Sequence, residues 1–371
     1  MDFPKKKIIL IVAIILIIIA VLASGIFFAL HFLNNKKVGG LVSKNNVLAV
    51  AVARKPPETI KAVYVTGYSA GTKSYVGYLS NFLDNTEINA VVIDLKGSDG
   101  VITYPKRISD IDTLVRFLHG KNIYVIGRIA VFEDPVYAKA RPELAVYNKN
   151  GGLWQDRNGL LWLDPASKDV WDYNIFLAKD ALANHGFDEI NFDYVRFPTD
   201  GKTGEAGFPV YDGKVAKAEI IKEFFEYTRQ QLLNEKISID LFGLTTVNKD
   251  DMGIGQIIED AFYNFDYVCP MVYPSHFADG FIGFANPADH PYEVIKYSMD
   301  SALARKNIIF LTKLRPWLQD FNLGAYYTAD MVKQEIKAVQ DSLASEYNGF
   351  MLWNPRNIYT QDAILKITNP N

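Results

Sequence analysis

Eight short apolar segments, rich in β-branched and aromatic residues, recur beyond residue 60, with stretches of helical periodicity between them. They cover residues 62–66, 90–95, 123–129, 189–194, 237–242, 267–273, 308–312 and 349–353. Their apolar residues are continuous rather than alternating, which indicates strands buried on both faces, as in a parallel sheet covered by helices. We therefore predict an α/β fold in which residues 60–371 form one (β/α)8 TIM barrel, an architecture that commonly takes ~250 residues.

The helical stretches predict the outer layer of this barrel. They cover residues 75–83, 108–119, 168–185, 215–234, 254–264, 291–306 and 329–346, and a final helix after residue 359 is short or absent. An open doubly wound sheet is the alternative fold. That fold usually carries a glycine-rich phosphate loop, and neither GxGxxG nor GxxxxGK[ST] occurs in the sequence, so the barrel is favoured.

A continuous apolar run from residue 8 to residue 30 contains no charged side chain. A helix of ~20 apolar residues spans the hydrocarbon core of a bilayer, whereas the apolar region of a cleaved signal peptide takes only ~7 to 15. We therefore predict that residues 1–33 form a cytoplasmic stub and an uncleaved transmembrane anchor, and that residues 34–59 form a linker. A cleaved signal peptide is the alternative.

Charge indicates where the chain sits and what it binds. Lysines at positions 5–7 precede the apolar run and lysines at positions 36–37 follow it, and this slight excess favours a cytoplasmic N-terminus with the barrel outside the cytoplasm. The lipid bilayer is then a partner. The formal net charge of −3 disfavours nucleic-acid binding.

Cys269 is the only cysteine, so no intrachain disulfide can form. The histidines lack HxH or HExxH spacing, so no metal or other cofactor is expected.

Three aspartates stand inside or at the end of predicted strands: Asp94, Asp193 and Asp240. A buried charge costs several kcal/mol unless it is paired or functional, so each aspartate needs a reason. One reason is structural, an ion-pair network with Arg128, Arg196 or Lys96. The other is catalytic, since glycosidic bonds are cleaved by a carboxylic acid acting with a second carboxylate.

Barrel enzymes carry their active sites where strands end, and polar and aromatic residues gather at these positions. The candidates for substrate binding are Arg128, Arg196, Tyr68, Lys96, Tyr273, His276, Trp317, Gln319 and Trp353. Trp317 and Trp353 are the better candidates for stacking on sugar rings, because a large flat aromatic face suits the CH surface of a sugar. Glu133 and Asp134 carry less weight, since an Asp before Pro135 is typical of a helix start.

Several motifs resemble one known family, and the resemblance spans about residues 60–359. These motifs are VYVTGYSAG at the first strand, VVIDLKGSDGVITY at the second, IGRIAVFEDP at the third and GFDEINFDYVRFPTDG at the fourth. They are similar to the glycoside-hydrolase domain proteins with a TIM-barrel fold, which are distantly allied to the α-amylase-like barrels. The resemblance implies a hydrolase of polysaccharide or glycoconjugate in which Asp193 matches the nucleophile position.

The sequence departs from the amylase pattern at three places. Asn191 stands where amylases have arginine, Phe197 stands where they have histidine, and the fifth strand has Asp240 within it but no glutamate at its end. The resemblance therefore does not identify the general acid. We predict a two-carboxylate hydrolysis with Asp193 as nucleophile or base and Asp240, or else Asp94, as the acid. The alternative is a non-catalytic glycan-binding barrel of the cell envelope.

Overall fold

A closed barrel of parallel strands forms the centre of the structure. The computed structural model describes residues 54–307 and 309–366. Its strands are β1 Ile60–Val65, β2 Ala90–Lys96, β3 Tyr124–Ala130, β4 Tyr147–Asn148, β5 Glu189–Asp193, β6 Ala206–Gly207, β7 Ile237–Phe242, β8 Tyr267–Met271, β9 Lys313–Leu314, β10 Trp317–Gln319 and β11 Gly349–Trp353. The short strands β4 and β6 pair with each other outside the barrel, and the remaining strands belong to it.

Hydrogen bonding closes the sheet on itself. Its order is β10, β11, β1, β2, β3, β5, β7, β8 and β9, and β10 also pairs with β8. The short strands β9 and β10 together form the seventh strand of the barrel. The barrel therefore has eight parallel strands, and the predicted (β/α)8 fold is confirmed. The register sets Asp94 beside Arg128 and Arg128 beside Asn191 on successive strands, so polar side chains from three strands meet at one level.

Helices cover the barrel on its outer side. They are α1 Gly67–Ala70, α2 Lys73–Asn85, α3 Ile111–Gly120, α4 Pro135–Ala140, α5 Lys168–His185, α6 Lys217–Gln231, α7 Ile258–Asn264, α8 Pro291–Arg305 and α9 Ala329–Leu343. Local chemistry fixes their ends. The Asp134 side chain accepts a hydrogen bond from Tyr137 N at the start of α4, with Pro135 at the first helical position. Gly186, in the left-handed conformation, caps the C-terminal end of α5.

The predicted seventh strand at residues 308–312 is wrong for its described part. Residues 309–312 form no strand, and Ile309 and Leu311 are exposed. The strand instead lies further along, and Arg315 and Pro316 divide it into β9 and β10. Proline has no N–H to donate to a neighbouring strand, which interrupts the ladder. The Arg315 side chain turns into the interior and pairs with Glu189, and both side chains are fully buried.

The structure also contains several elements that were not predicted from the sequence. The helix α4 and the β4–β6 pair lie between the third and fifth barrel strands, in connections that were not predicted in detail. The eighth barrel helix is reduced to a single turn, Gln361–Ala363, which agrees with the prediction of a short or absent helix.

The predicted membrane anchor lies outside the described residues, as does most of the predicted linker. Across residues 54–307 and 309–366, no helix is both long and apolar enough to cross a membrane. The division into an anchor at residues 1–33, a linker at residues 34–59 and a barrel at residues 60–371 therefore stays a prediction.

Candidate active site

A cleft of about 370 Å³ opens at the end of the barrel where the strands terminate. Asp193, Phe242, Met271 and Trp353 line it and are the last residues of β5, β7, β8 and β11. The full lining comprises Arg128, Asp193, Tyr194, Arg196, Asp240, Phe242, Gly243, Leu244, Met271, Tyr273, His276, Phe277, Trp317 and Trp353. The cleft therefore lies at the C-terminal face, where TIM-barrel enzymes carry their catalytic residues.

The Arg128 guanidinium joins three aspartates at the bottom of this cleft. Its Nη1 donates to Asp94 Oδ1 at 2.6 Å, and its Nε donates to Asp193 Oδ2 at 3.1 Å. The same Nε lies 4.0 Å from Asp240 Oδ2. Asp193 and Asp240 thus both lie within 4.0 Å of one nitrogen atom, although 47 positions separate them in the chain. Strand pairing brings the sequence-predicted carboxylates into one site.

The Asp240 carboxyl has an asymmetric environment. Its Oδ1 accepts hydrogen bonds from Asn191 Nδ2 at 2.9 Å and from Trp317 Nε1 at 2.7 Å, while its Oδ2 faces Arg128. Burial, and then repulsion from Asp193, raise the pKa of Asp240 well above its usual range, against the opposing influence of Arg128. The group consequently tends to hold a proton. Because two N–H donors occupy Oδ1, Oδ2 is the oxygen that is free to take up a proton.

Asp94 supports the arginine from beneath the cleft. Its Oδ1 pairs with Arg128, and its Oδ2 accepts a hydrogen bond from the Tyr64 hydroxyl at 2.6 Å. Asp94 does not itself line the cleft. Burial raises the pKa of Asp94, and burial followed by the Asp94 charge raises that of Tyr64, so the tyrosine remains a donor. Asp94 is therefore placed to orient Arg128 rather than to touch a substrate.

Aromatic rings form one wall of the cleft. Trp353 lies 5.7 Å from Tyr273 and 6.5 Å from Tyr64, measured between ring centroids. Trp353 is half-buried and presents part of its ring, whereas Trp317 is almost completely buried and contributes its N–H to Asp240. His276 lies 5.1 Å from Tyr273, and burial lowers the pKa of its imidazole. Trp353 is thus the tryptophan best exposed for stacking on a sugar.

Arg196 and Tyr194 also line the cleft. The Arg196 guanidinium lies 4.7 Å from the Trp162 ring and donates to Phe197 O at 3.2 Å. Tyr194 has φ of 54°, a conformation that costs a non-glycine residue about 1–3 kcal/mol, and its N–H donates to Asp193 Oδ1 at 2.6 Å. The backbone directly after Asp193 is therefore strained in a way that fixes this carboxylate.

Glu133 lies outside the cleft lining, near enough to Arg196 for the two charges to attract. The side chain is buried, which raises its pKa to about 8, and attraction to Arg196 only partly offsets this. Its proton would therefore be retained at neutral pH. Sequence reasoning gave Glu133 little weight because the following Asp134 caps a helix, and nothing in the residue pattern indicates this burial.

The structure brings eight of the sequence-predicted site residues together in the cleft lining. They are Asp193, Asp240, Arg128, Arg196, Tyr273, His276, Trp317 and Trp353. The other substrate-binding candidates lie elsewhere: Tyr68 is an exposed residue of α1, Lys96 is fully buried with its Nζ 2.7 Å from Asp134 Oδ2, and Gln319 is fully buried with its Nε2 donating to Phe321 O at 3.0 Å. Lys96 and Gln319 are thus occupied within the protein.

Sequence reasoning missed the apolar part of the cleft. Phe242, Leu244, Met271 and Phe277 all line it and stand at or just after the ends of β7 and β8. Their position after a strand was the only available signal, and apolar residues there are equally typical of core packing. Within the described ranges, no cluster of three or more His, Cys, Asp or Glu side chains is arranged to hold a metal ion.

Solved structures that the chain resembles include enzymes with barrel domains. An α-L-fucosidase isoenzyme 2 from Paenibacillus thiaminolyticus gives a TM-score of 0.55 at 11% identity over 82% of this chain and 48% of that chain. The spore cortex-lytic enzyme SleL from Bacillus cereus gives 0.50 at 10% identity over 84% of this chain and 75% of its own. At such identities the likeness shows the fold alone.

A hypothetical protein from Ruminiclostridium thermocellum ATCC 27405 is 40% identical over 48% of this chain and 96% of its own, with a TM-score of 0.43. Comparison with curated proteins gives no match. The model of one protein family, described as "Putative glycosyl hydrolase domain", matches residues 62–359. Since that match covers most of the chain and includes every barrel strand from β2 to β11, the protein belongs to this glycosyl hydrolase domain family.

Proposed function

We propose that the barrel hydrolyses glycosidic bonds of a polysaccharide or glycoconjugate with Asp193 and Asp240 as its carboxylate pair. The observation that carries this proposal is the common position of the two groups, both within 4.0 Å of Arg128 Nε at the bottom of an open cleft. A pair of carboxyl groups flanking the scissile bond is the arrangement that glycoside hydrolysis requires.

Asp193 acts as nucleophile or base in this proposal. It ends strand β5, it lines the cleft, and its Oδ2 is paired with Arg128 Nε at 3.1 Å. Both roles require a carboxylate, and the paired guanidinium holds this one in place at the cleft. Asp193 attacks the anomeric carbon directly, or it removes a proton from the water that attacks.

Asp240 acts as the general acid. It holds a proton on Oδ2, and transfer of that proton to the glycosidic oxygen lets the sugar–oxygen bond break with a neutral alcohol as leaving group. Asp240 is then an anion that can accept a proton from water.

A panel of 4-nitrophenyl glycosides and soluble polysaccharides tests this function, with the full-length chain kept in mild detergent. We expect release of nitrophenol or of new reducing ends from at least one member. The proposal is overturned if the chain binds a member of the panel tightly and releases neither product.

The pH profile tests the protonated state of Asp240. Because a hydrogen bond to a carboxylate favours its charged form, removing the Trp317 N–H with Trp317→Phe should raise the pKa of Asp240. The alkaline limb of kcat/KM should then move up by about one pH unit. Trp353→Phe is the matched control, since Trp353 makes no hydrogen bond to Asp240 in the described structure. An unmoved or lowered limb in Trp317→Phe contradicts the assignment.

A non-catalytic glycan-binding barrel is the second candidate function. The observation that favours it is the ion-pair network, since Arg128 is already paired with both Asp94 and Asp193. Such a network can close a barrel without any reaction. In that case the aromatic wall would bind glycan, the wild type would hydrolyse none, and replacing Asp193 would change no activity.

We also propose that residues 1–33 anchor the chain in a membrane and that the barrel lies outside the cytoplasm. Support comes from the uncharged run at residues 8–30 and from the lysines that precede it. Carbonate extraction should leave the chain in the membrane pellet, and protease added to intact spheroplasts should digest the barrel. Digestion only after lysis would contradict this orientation.

A further inference from the structure

A second cavity of about 280 Å³ lies at the same end of the barrel as the cleft. Asp320 directly follows the last residue of β10, Asn354 directly follows the last residue of β11, and both line this cavity. The proposed hydrolysis does not use it. We call it the Asp320 pocket, after its most buried charged residue, which is 3% exposed.

One aromatic ring separates the Asp320 pocket from the cleft. Phe321 lines the pocket, and its ring centroid lies 5.0 Å from that of Trp353, 5.7 Å from that of Tyr273 and 6.1 Å from that of His276. Those three residues line the cleft. The two cavities are therefore neighbours across a wall of aromatic rings.

The Asp320 pocket offers polar groups in a fixed arrangement. Asp320 accepts hydrogen bonds from Thr360, at 2.8 Å from N to Oδ2 and at 2.5 Å from Oγ1 to Oδ1, which holds its carboxylate while leaving lone pairs free. Tyr326 is 80% exposed. Within the part of the chain that the structure describes, neither the Tyr326 hydroxyl nor the Arg356 guanidinium has a hydrogen-bond partner.

We propose that the Asp320 pocket is a second saccharide subsite, and that the substrate is a chain of sugars lying across Trp353 and Phe321 with one unit at Asp193 and another at Asp320. This inference rests on the proposed function of the cleft. It restricts the substrate to oligosaccharides and polysaccharides, as opposed to single sugars attached to a non-carbohydrate group.

The chemistry of the pocket fits a ligand with many hydroxyl groups. Each sugar hydroxyl both donates and accepts, and the pocket supplies a carboxylate acceptor, a guanidinium donor and a phenol that can do either. Aromatic faces between the two sites suit the CH surface of a pyranose. An anion such as phosphate fits less well, because Asp320 would repel it.

The test measures binding as a function of chain length. Malto-, cello- and chito-oligosaccharides, from the disaccharide to the hexasaccharide, are titrated into the full-length chain by calorimetry. For the series that binds, affinity should rise with length in the wild type. The gain in affinity from the disaccharide to the hexasaccharide should be about tenfold smaller in Tyr326→Ala and in Arg356→Ala. Each substitution removes a contact that only the longer ligands make.

Tyr263→Ala is the matched control, because Tyr263 is also an exposed tyrosine but lies at the end of α7, away from both cavities. It should bind every oligomer as the wild type does. Length dependence that survives in both pocket variants overturns the subsite while leaving hydrolysis standing. Length-dependent binding without hydrolysis overturns the proposed function and leaves the subsite. Binding of no oligomer from any series overturns the subsite.

Discussion

Replacing Asp193 with asparagine should reduce kcat by about a thousandfold or more, with the affinity for glycan retained. Asparagine has the shape of aspartate, and its amide oxygen can still accept the hydrogen bond from Arg128 Nε, although its amide nitrogen cannot accept the one from Tyr194 N. What it lacks is the negative charge that attacks the anomeric carbon or removes a proton from water. The measurement is turnover of the best substrate from the glycoside panel, together with its dissociation constant.

A buried aspartate at the other end of the same strand provides the matched control. Asp188 directly precedes β5, and its carboxylate accepts from Val125 N at 2.8 Å, far from the cleft lining. Asp188→Asn should lower the melting temperature and keep turnover within about tenfold of the wild type. If Asp193→Asn turns over like the wild type, Asp193 is not the reacting carboxylate. If it loses binding as well as folding, its role is structural.

Much of the barrel could be predicted from sequence because parallel strands buried on both faces have an unmistakable composition. Residues 237–242 and 349–353 were predicted as strands with the bounds that β7 and β11 have. The seventh strand shows where this reasoning stops. The sequence of an apolar segment such as residues 308–312 does not reveal whether the segment is buried or exposed, and Leu311 is 96% exposed.

The carboxylates of the site were also predictable, because a charge in a buried strand demands a partner and strand ends converge at one face. The position of Lys96, away from the cleft, could not be predicted, because it depends on an irregularity in the backbone. The pairing of β2 with β3 shifts register between Asp94 and Lys96, so the alternation that would place both side chains on one side is broken. Lys96 then meets Asp134 in a fully buried ion pair.

The structural and catalytic readings of the aspartates turn out to be compatible. Arg128 does form the ion-pair network that the sequence allowed, with Asp94 on one side and Asp193 on the other. Yet Arg128, Asp193 and Asp240 all line an open cleft. Asp193 and Asp240 are only 6% and 1% exposed, so a substrate in the cleft would meet them through the small part of each group that faces it. The cleft is therefore the feature that favours hydrolysis.

Two buried acids compete for the role of proton donor. Asp240 lies at the cleft and within 4.0 Å of the arginine that holds Asp193, whereas Glu133, whose pKa is raised to about 8, lies outside the cleft lining. A proton donor must come within hydrogen-bond reach of the leaving oxygen. Position therefore favours Asp240, and the chemistry of the leaving group can decide between them.

Replacing Asp240 with asparagine should slow hydrolysis of a natural glycan by about 10²- to 10⁴-fold, while 2,4-dinitrophenyl glycosides of the same sugar should lose far less. A sugar alkoxide is a poor leaving group and needs the proton of Asp240, whereas dinitrophenolate leaves without one. Asparagine can also still accept the N–H groups of Asn191 and Trp317, so the packing around the site is kept. The ratio of kcat/KM for the two substrates is the measurement.

Asp193→Asn serves as the comparison, because loss of the nucleophile or base slows both substrates alike. Glu133→Gln should leave the ratio of the two substrates unchanged. If Glu133→Gln instead reproduces the leaving-group dependence and Asp240→Asn does not, then Glu133 is the acid. Equal losses on both substrates in Asp240→Asn would mean that Asp240 acts on the charge of Arg128 and Asp193, and that no proton passes through it.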